Sequence, residues 1–256
     1  MIYAGLMLLA VGAIDLVRQF VSPARRWIGY LVAAALVIAL GAVSAAIIPA
    51  LVAIVVGVAW VLTMPTRSDA RLTFWPAVIL AVACTLLVML LGDRTDVGLV
   101  GAIWQVRSPV GLISFDLAVL TAGVVVFLLE SCNVVVRAAL SGENTWRPAD
   151  IVSVEPSAGD DLPSAERREA PKRTAFAGGR LIGPLERMLV FVLTLVGAYA
   201  LLAAMLAAKG IVRFPEISKD GETGARAEYF LVGSFVSWVT ALGGALLVWW
   251  GAHSQQ

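Results

Sequence analysis

Long apolar runs, each closed by a small cluster of charges, make up this chain, and one extended polar stretch interrupts the series. The first run, Ile2 to about Phe20, is apolar as far as Ile14 and then carries Asp15 and Arg18 on one helical face. An interfacial ion pair with a snorkelling arginine is expected there. From Trp27 to Thr63 no charge occurs at all. At a rise of about 1.5 Å per residue this run is too long for one crossing of a bilayer, so it must turn round. Ser44 to Pro49 is the expected break, with Pro49 in the first turn of the following helix. Beyond the basic loop MPTRSDAR, Phe74 to Leu91 reads as a fourth helix and Leu112 to Leu140 as a fifth. The intervening GDRTDVGLVGAIWQVRSPVG is too mixed to span and too apolar for a free loop, which predicts an interfacial or partly re-entrant element.

Ser141 to Arg180 breaks the pattern. It is rich in Pro, Gly, Ser and charge, acidic in its first part and basic in its second. With almost no periodic apolar residues it reads as a disordered linker. Two further apolar segments follow. The sixth helix is expected to start at Gly183-Pro184 and run on to AAKGIVRF; the seventh is EYFLVGSFVSWVTALGGALLVWW. The predicted fold is an all-α integral membrane protein of about seven transmembrane helices. Residues 1–140 form a five-helix membrane body, 141–180 a disordered cytoplasmic linker, and 181–256 a two-helix membrane hairpin with a short polar tail.

Composition agrees. Of 256 residues 60% are hydrophobic and 14% charged, with a mean hydropathy of +0.89, whereas soluble domains carry about 25% charge. The net charge of +1 gives no global electrostatic reason to expect nucleic acid. Cys84 and Cys132 fall inside apolar runs and read as small buried hydrophobes. The first run has no basic residue ahead of it and no small-x-small cleavage site, so it reads as a retained helix. Orientation follows from lysine and arginine placement. With the N-terminus outside and the C-terminus inside, thirteen basic residues face the cytoplasm and six face out. Four of those six, Lys209, Arg213, Lys219 and Arg226, sit together in the loop before the last helix, against the rule. Trp27, Trp60, Trp75, Trp249 and Trp250 are all expected at cytoplasmic helix ends.

Charge on helix faces supplies the candidate functional residues. Glu130, Asn133 and Arg137 are spaced three and four apart, with Asp116 close to the same face near the opposite end. Glu186 and Arg187 fall in the first turn of the sixth helix. Lys209 and Arg213 lie one turn apart, and a pairing of these two with Glu216, Glu228 or Asp116 is expected. Small residues recur at helical steps as Gly197, Ala200, Ala204 and Ala208, and again as Gly233, Ser237, Ala241 and Gly244. In lipid such stripes let two backbones approach, so the last two helices are expected to pack as an antiparallel hairpin, or one of them against the body.

The pattern GRLIGPLER, AAKGIVRF and AEYFLVGSF resembles the last two helices of an uncharacterised family of bacterial multi-pass membrane proteins. The likeness covers roughly the last 75 residues and implies a bacterial origin and a preserved hairpin; a multi-pass protein of the bacterial plasma membrane is expected. It implies no reaction.

The only histidine, His253, lies in the polar tail, which disfavours zinc and histidine-based schemes. Gly92-Asp93 lacks the preceding glycine of aspartyl intramembrane proteases, and no phosphate-binding loop or dinucleotide fingerprint occurs. Catalytic residues, cofactors and metals are not expected. Two function classes remain. One is a non-enzymatic scaffold or accessory subunit, docking a membrane-protein partner or a second copy of the chain. The other is a small transporter or ion-conducting protein using the charges near helix ends. A hydrated cavity reaching those charges would mark the transporter; pairwise neutralisation in a dry bundle would mark the scaffold.

Overall fold

The computed structural model describes residues 1–64, 74–91, 94, 97–108, 111–142, 179–217 and 225–254. The expected linker therefore lies almost wholly outside the described residues. Helix α1 (Ile2–Phe20) is the hub: it packs against α2 (Arg26–Val43), α3 (Ile47–Thr63), α4 (Trp75–Leu90) and α6 (Phe115–Val126). Two glycines allow this. A Cβ added at Gly5 would lie 2.8 Å from the Leu120 backbone nitrogen, and one at Gly12 2.7 Å from Val126 Cγ1. Opposite, a Cβ at Gly123 would run into the Gly5 carbonyl. Backbones in direct contact gain dispersion along their whole length, which is how helices associate where lipid removes the hydrophobic drive.

The charge-free run forms the expected hairpin. Helix α2 ends at Val43, α3 begins at Ile47, and Ala45 between them takes a left-handed φ of 50°. After α4 come a short helix α5 (Gly98–Ile103) and an antiparallel pair of strands, β1 (Val106–Ser108) and β2 (Gly111–Ile113). Gly98, at φ 68°, tucks beneath the α2–α3 turn, where a Cβ would sit 2.5 Å from the Ser44 carbonyl carbon. The Trp104 indole donates to the Ile113 carbonyl at 3.0 Å and meets Phe115 edge-on, closing this cap over the start of α6. Helix α6 then continues through a π-helical turn (Phe127–Ser131) into α7 (Cys132–Gly142).

The C-terminal part departs from expectation. The sixth helix is two: α8 (Gly179–Leu195) and α9 (Tyr199–Ile217). Pro184 is inside α8, not at its start. Between the helices Gly197 adopts φ 75° and the chain reverses. Lys209 on α9 thereby returns to Glu186 on α8, each about a dozen residues from the turn, at 2.6 Å. The second correction concerns α10 (Ala225–His253). Gly233 faces Val136 and Leu140, Gly244 faces Val124 and Leu128, and Gly251 faces Leu117, Leu120 and Met1. Helix α10 thus runs antiparallel to α6–α7 and ends beside the N-terminus. The sequence pattern predicts the two termini on opposite faces; here the chain reverses once more at Gly197, and Gly251 lies close to Met1.

Four helical segments among the described residues are long and apolar enough to cross a membrane: Ile2–Phe20, Pro23–Val43, Phe115–Leu140 and Ala227–His253. Apolar side chains such as Leu31 and Leu36 of α2 and Leu231 and Phe235 of α10 are exposed on the outside of the bundle, as a helical membrane protein requires.

Candidate functional site

Three arginines, two buried and Arg94 half-buried, share one device: each donates to backbone carbonyls of another element while holding an acidic or amide side chain. Arg18 donates to the Val61 and Met64 carbonyls at 2.9 and 2.8 Å, where α3 ends. Its Nη1 also meets Asp15 at 3.3 Å, and Asp15 accepts the Trp60 indole proton at 2.9 Å. Asp15 is 1% and Arg18 8% exposed, so Arg18 staples α1 to α3 rather than snorkelling to the surface. The last carbonyls of a helix carry partial negative charge, and a cation there is favoured twice over.

Arg94 repeats the arrangement at the other end of the bundle. It grips Asp116 through both terminal contacts, at 3.0 and 2.5 Å, and donates to the Ser44 carbonyl at 2.9 Å just beyond α2. Asp116 is therefore paired with Arg94, not with Lys209 or Arg213. Ser114 caps α6 by accepting from the Leu117 amide.

The third staple sits at the π-helical turn. A π turn widens the helix and shifts its hydrogen-bond register, and such turns often mark functional positions. Here the Leu128 and Leu129 carbonyls accept from Arg187 at 2.9 and 3.4 Å, and Asn133 Oδ1 accepts from its Nη2 at 2.7 Å. The Asn133 amide donates in turn to Glu130 at 3.2 Å. Arg187 is 2% exposed. Of the expected Glu130–Asn133–Arg137 face, the structure joins the first two to Arg187; Arg137 is exposed and reaches back to the Asn133 carbonyl.

Glu186, the neighbour of Arg187, turns towards α9 and α10. Both its oxygens face the Lys209 ammonium, at 2.6 and 2.7 Å, and Oε1 also accepts the Trp238 indole proton at 2.7 Å. The same ammonium lies 5.2 Å from the Trp238 ring centre and 5.5 Å from that of Phe230, within cation–π range. Glu228 is exposed in the first turn of α10, and the side chain of Arg213 lies outside the described residues.

The expected packing stripes part company. Ser237 and Ala241 are buried and Gly244 presses on Val124, so the α10 stripe faces α6–α7, with Gly233 at its end. Ala200, Ala204 and Ala208 are exposed, and Gly197 serves the turn, not a helix contact. The residues that do bring backbones together, Gly5, Gly12 and Gly123, had a readable signal in the seven-residue spacing of the first two.

Two apolar grooves complete the picture. One of about 310 Å³ runs between α4 and α10, lined by Ala77, Ala81, Cys84, Thr240, Gly243 and Leu247 among others. The other, about 190 Å³, lies between α1, α2 and α3. No charged side chain lines either. Among the described residues no three His, Cys, Asp or Glu side chains gather to hold a metal. Comparison with family models, curated proteins and solved structures finds no match to this chain. Geometry carries the functional reading.

Proposed function

We propose that this protein is a non-enzymatic membrane scaffold or accessory subunit of the bacterial plasma membrane. The observation that carries the reading is pairwise neutralisation. Asp15 with Arg18, Asp116 with Arg94, and Glu186 with Lys209 are joined at 3.3 Å or less, and the two grooves described above are lined mainly by apolar side chains. A transport pathway needs charge that water and solute can reach near mid-depth. Here the charge is spent on joining helices, which builds a rigid bundle.

In the proposed topology eight helical segments enter the bilayer: α1 to α4, α6–α7 as one, α8, α9 and α10. Both termini then lie outside. The reversal at Gly197 moves Lys209, Arg213, Lys219 and Arg226 to the cytoplasmic side, raising its basic residues from thirteen to seventeen and leaving two, Arg94 and Arg107, outside. Trp27 and Trp75 then mark one interface, and Trp249 and Trp250 the other. The partner is another membrane protein or a second copy of the chain.

Reconstituting the purified protein into vesicles tests the reading. Glu186→Gln and Lys209→Met alone should each lower the midpoint of thermal unfolding, because each strands a half-buried charge at a cost of about 1–3 kcal/mol. The double variant should recover much of that loss, and neither ion nor solute flux should rise above protein-free vesicles. Flux that depends on Glu186 or Asp116 in a stably folded protein would establish the transporter instead.

A further inference from the structure

The contact made by Lys209 is more elaborate than an ion pair requires. One wall is the Glu186 carboxylate, set so that both oxygens meet the same nitrogen. The Trp238 indole proton locks that carboxylate in place through Oε1. Two further walls are the rings of Trp238 and Phe230. A carboxylate with flanking aromatic faces is the chemistry by which proteins recognise alkylated ammonium groups, because the rings attract positive charge without forming competing hydrogen bonds.

The walls and their occupant stand on different footings. Glu186 precedes Arg187, which is fixed to the Leu128 and Leu129 carbonyls, and Trp238 lies between buried Ser237 and buried Ala241 on α10. Lys209 arrives on α9, which packs on α8 and sets Leu202, Met205 and Leu206 against the apolar core. Its side chains at Leu201, Ile211, Val212 and Phe214 are exposed, and Gly210 beside Lys209 has no neighbour within 4 Å of an added Cβ. The box is built by α8 and α10, and its ammonium is supplied by α9.

We infer that Glu186, Trp238 and Phe230 form a binding site for an alkylammonium group, which Lys209 fills as a tethered occupant. Its ligand is a primary or methylated amine, carried on an aminophospholipid headgroup or free in solution. The site stands on the geometry of α8, α9 and α10 and does not depend on the scaffold reading.

Chemical rescue of the full-length Lys209→Met protein is the test. In detergent, ethylammonium chloride should raise its unfolding midpoint by roughly 4 °C or more above the effect of equal sodium chloride. In nanodiscs, phosphatidylethanolamine should give the same gain over phosphatidylglycerol. Rescue in the lipid arm alone assigns the headgroup as ligand, and rescue in the free-amine arm alone assigns a soluble amine. Rescue in both leaves the shared chemistry standing. The Glu186→Gln, Lys209→Met double variant should respond to neither. Absence of rescue in both arms, or equal rescue of the double variant, overturns the site. If Lys209→Met does not fold, the wild-type protein answers the same question. Its lysines are Lys172, Lys209 and Lys219, and saturating tetramethylammonium, which cannot itself be acylated, should accelerate acylation of Lys209 several-fold relative to the other two. An unchanged ratio overturns the proposal.

Discussion

Arginine, not lysine, holds the three staples, and the reason is geometric. A guanidinium offers five donors in a flat fork, enough to meet two carbonyls and a side chain at once. An ammonium in the place of Arg187 would have to abandon either the Leu128 and Leu129 carbonyls or Asn133. Arg187→Lys should therefore lower stability measurably and Arg187→Met more, by about 1–3 kcal/mol for each buried acceptor left unsatisfied, since the latter removes the donor to Asn133 Oδ1 and both π-turn carbonyls. Thermal unfolding in mild detergent checks the order, and equal losses for the two variants would contradict a role for the fork. The spacing of Asp15 and Arg18 was readable in the sequence, and so was the shared face of Glu130 and Asn133. What completed each group was not. Arg18 reaches carbonyls more than forty residues away, and no side-chain pattern announces a carbonyl freed at a helix end or a π turn.

Between helices, glycine does two separate jobs here, and its surroundings tell them apart. At Gly5 and Gly123 it removes a Cβ that would collide with backbone; at Gly197 it permits a positive φ in an exposed turn. Gly123→Leu should force α1 and α6 apart and destabilise the bundle by about 3 kcal/mol or more. Gly197→Ala should cost about 1–2 kcal/mol, the strain of a left-handed alanine. Gly210→Ala meets open space in a helix and should be neutral or stabilising by up to about 1 kcal/mol. A shared unfolding assay separates the three, and a Gly197→Ala protein as stable as Gly210→Ala would argue against the turn. The two hairpins differ in legibility for the same reason. The α2–α3 break carries Ser44 and Pro49, whereas Leu185 to Ala208 holds only Glu186, Arg187 and Thr194 near its first half and is otherwise apolar. Among so many alanines and glycines, Gly197 gives no local warning of a reversal.

At the scale of the whole molecule that reversal is visible only as an inconsistency. A seven-helix reading leaves four basic residues, Lys209 to Arg226, on the side where they are disfavoured. In the proposed topology one extra reversal restores them to the side of the linker and carries α10 across in the opposite direction, in keeping with the position of Gly251 beside Met1. In the proposed topology α8 enters and α9 leaves on one face whether the Gly197 turn emerges fully or stays within the far leaflet. Single cysteines decide between the readings. With Cys84 and Cys132 replaced by alanine, an impermeant thiol reagent applied to intact cells should label Ser254→Cys but not Asp220→Cys or Ser164→Cys. All three should react once the membrane is permeabilised. The seven-helix arrangement requires the reverse at positions 220 and 254 with position 164 unchanged. Labelling at 220 from outside would therefore return the α8–α9 pair to a single crossing, and with it remove the α9 return on which the Lys209 contact depends.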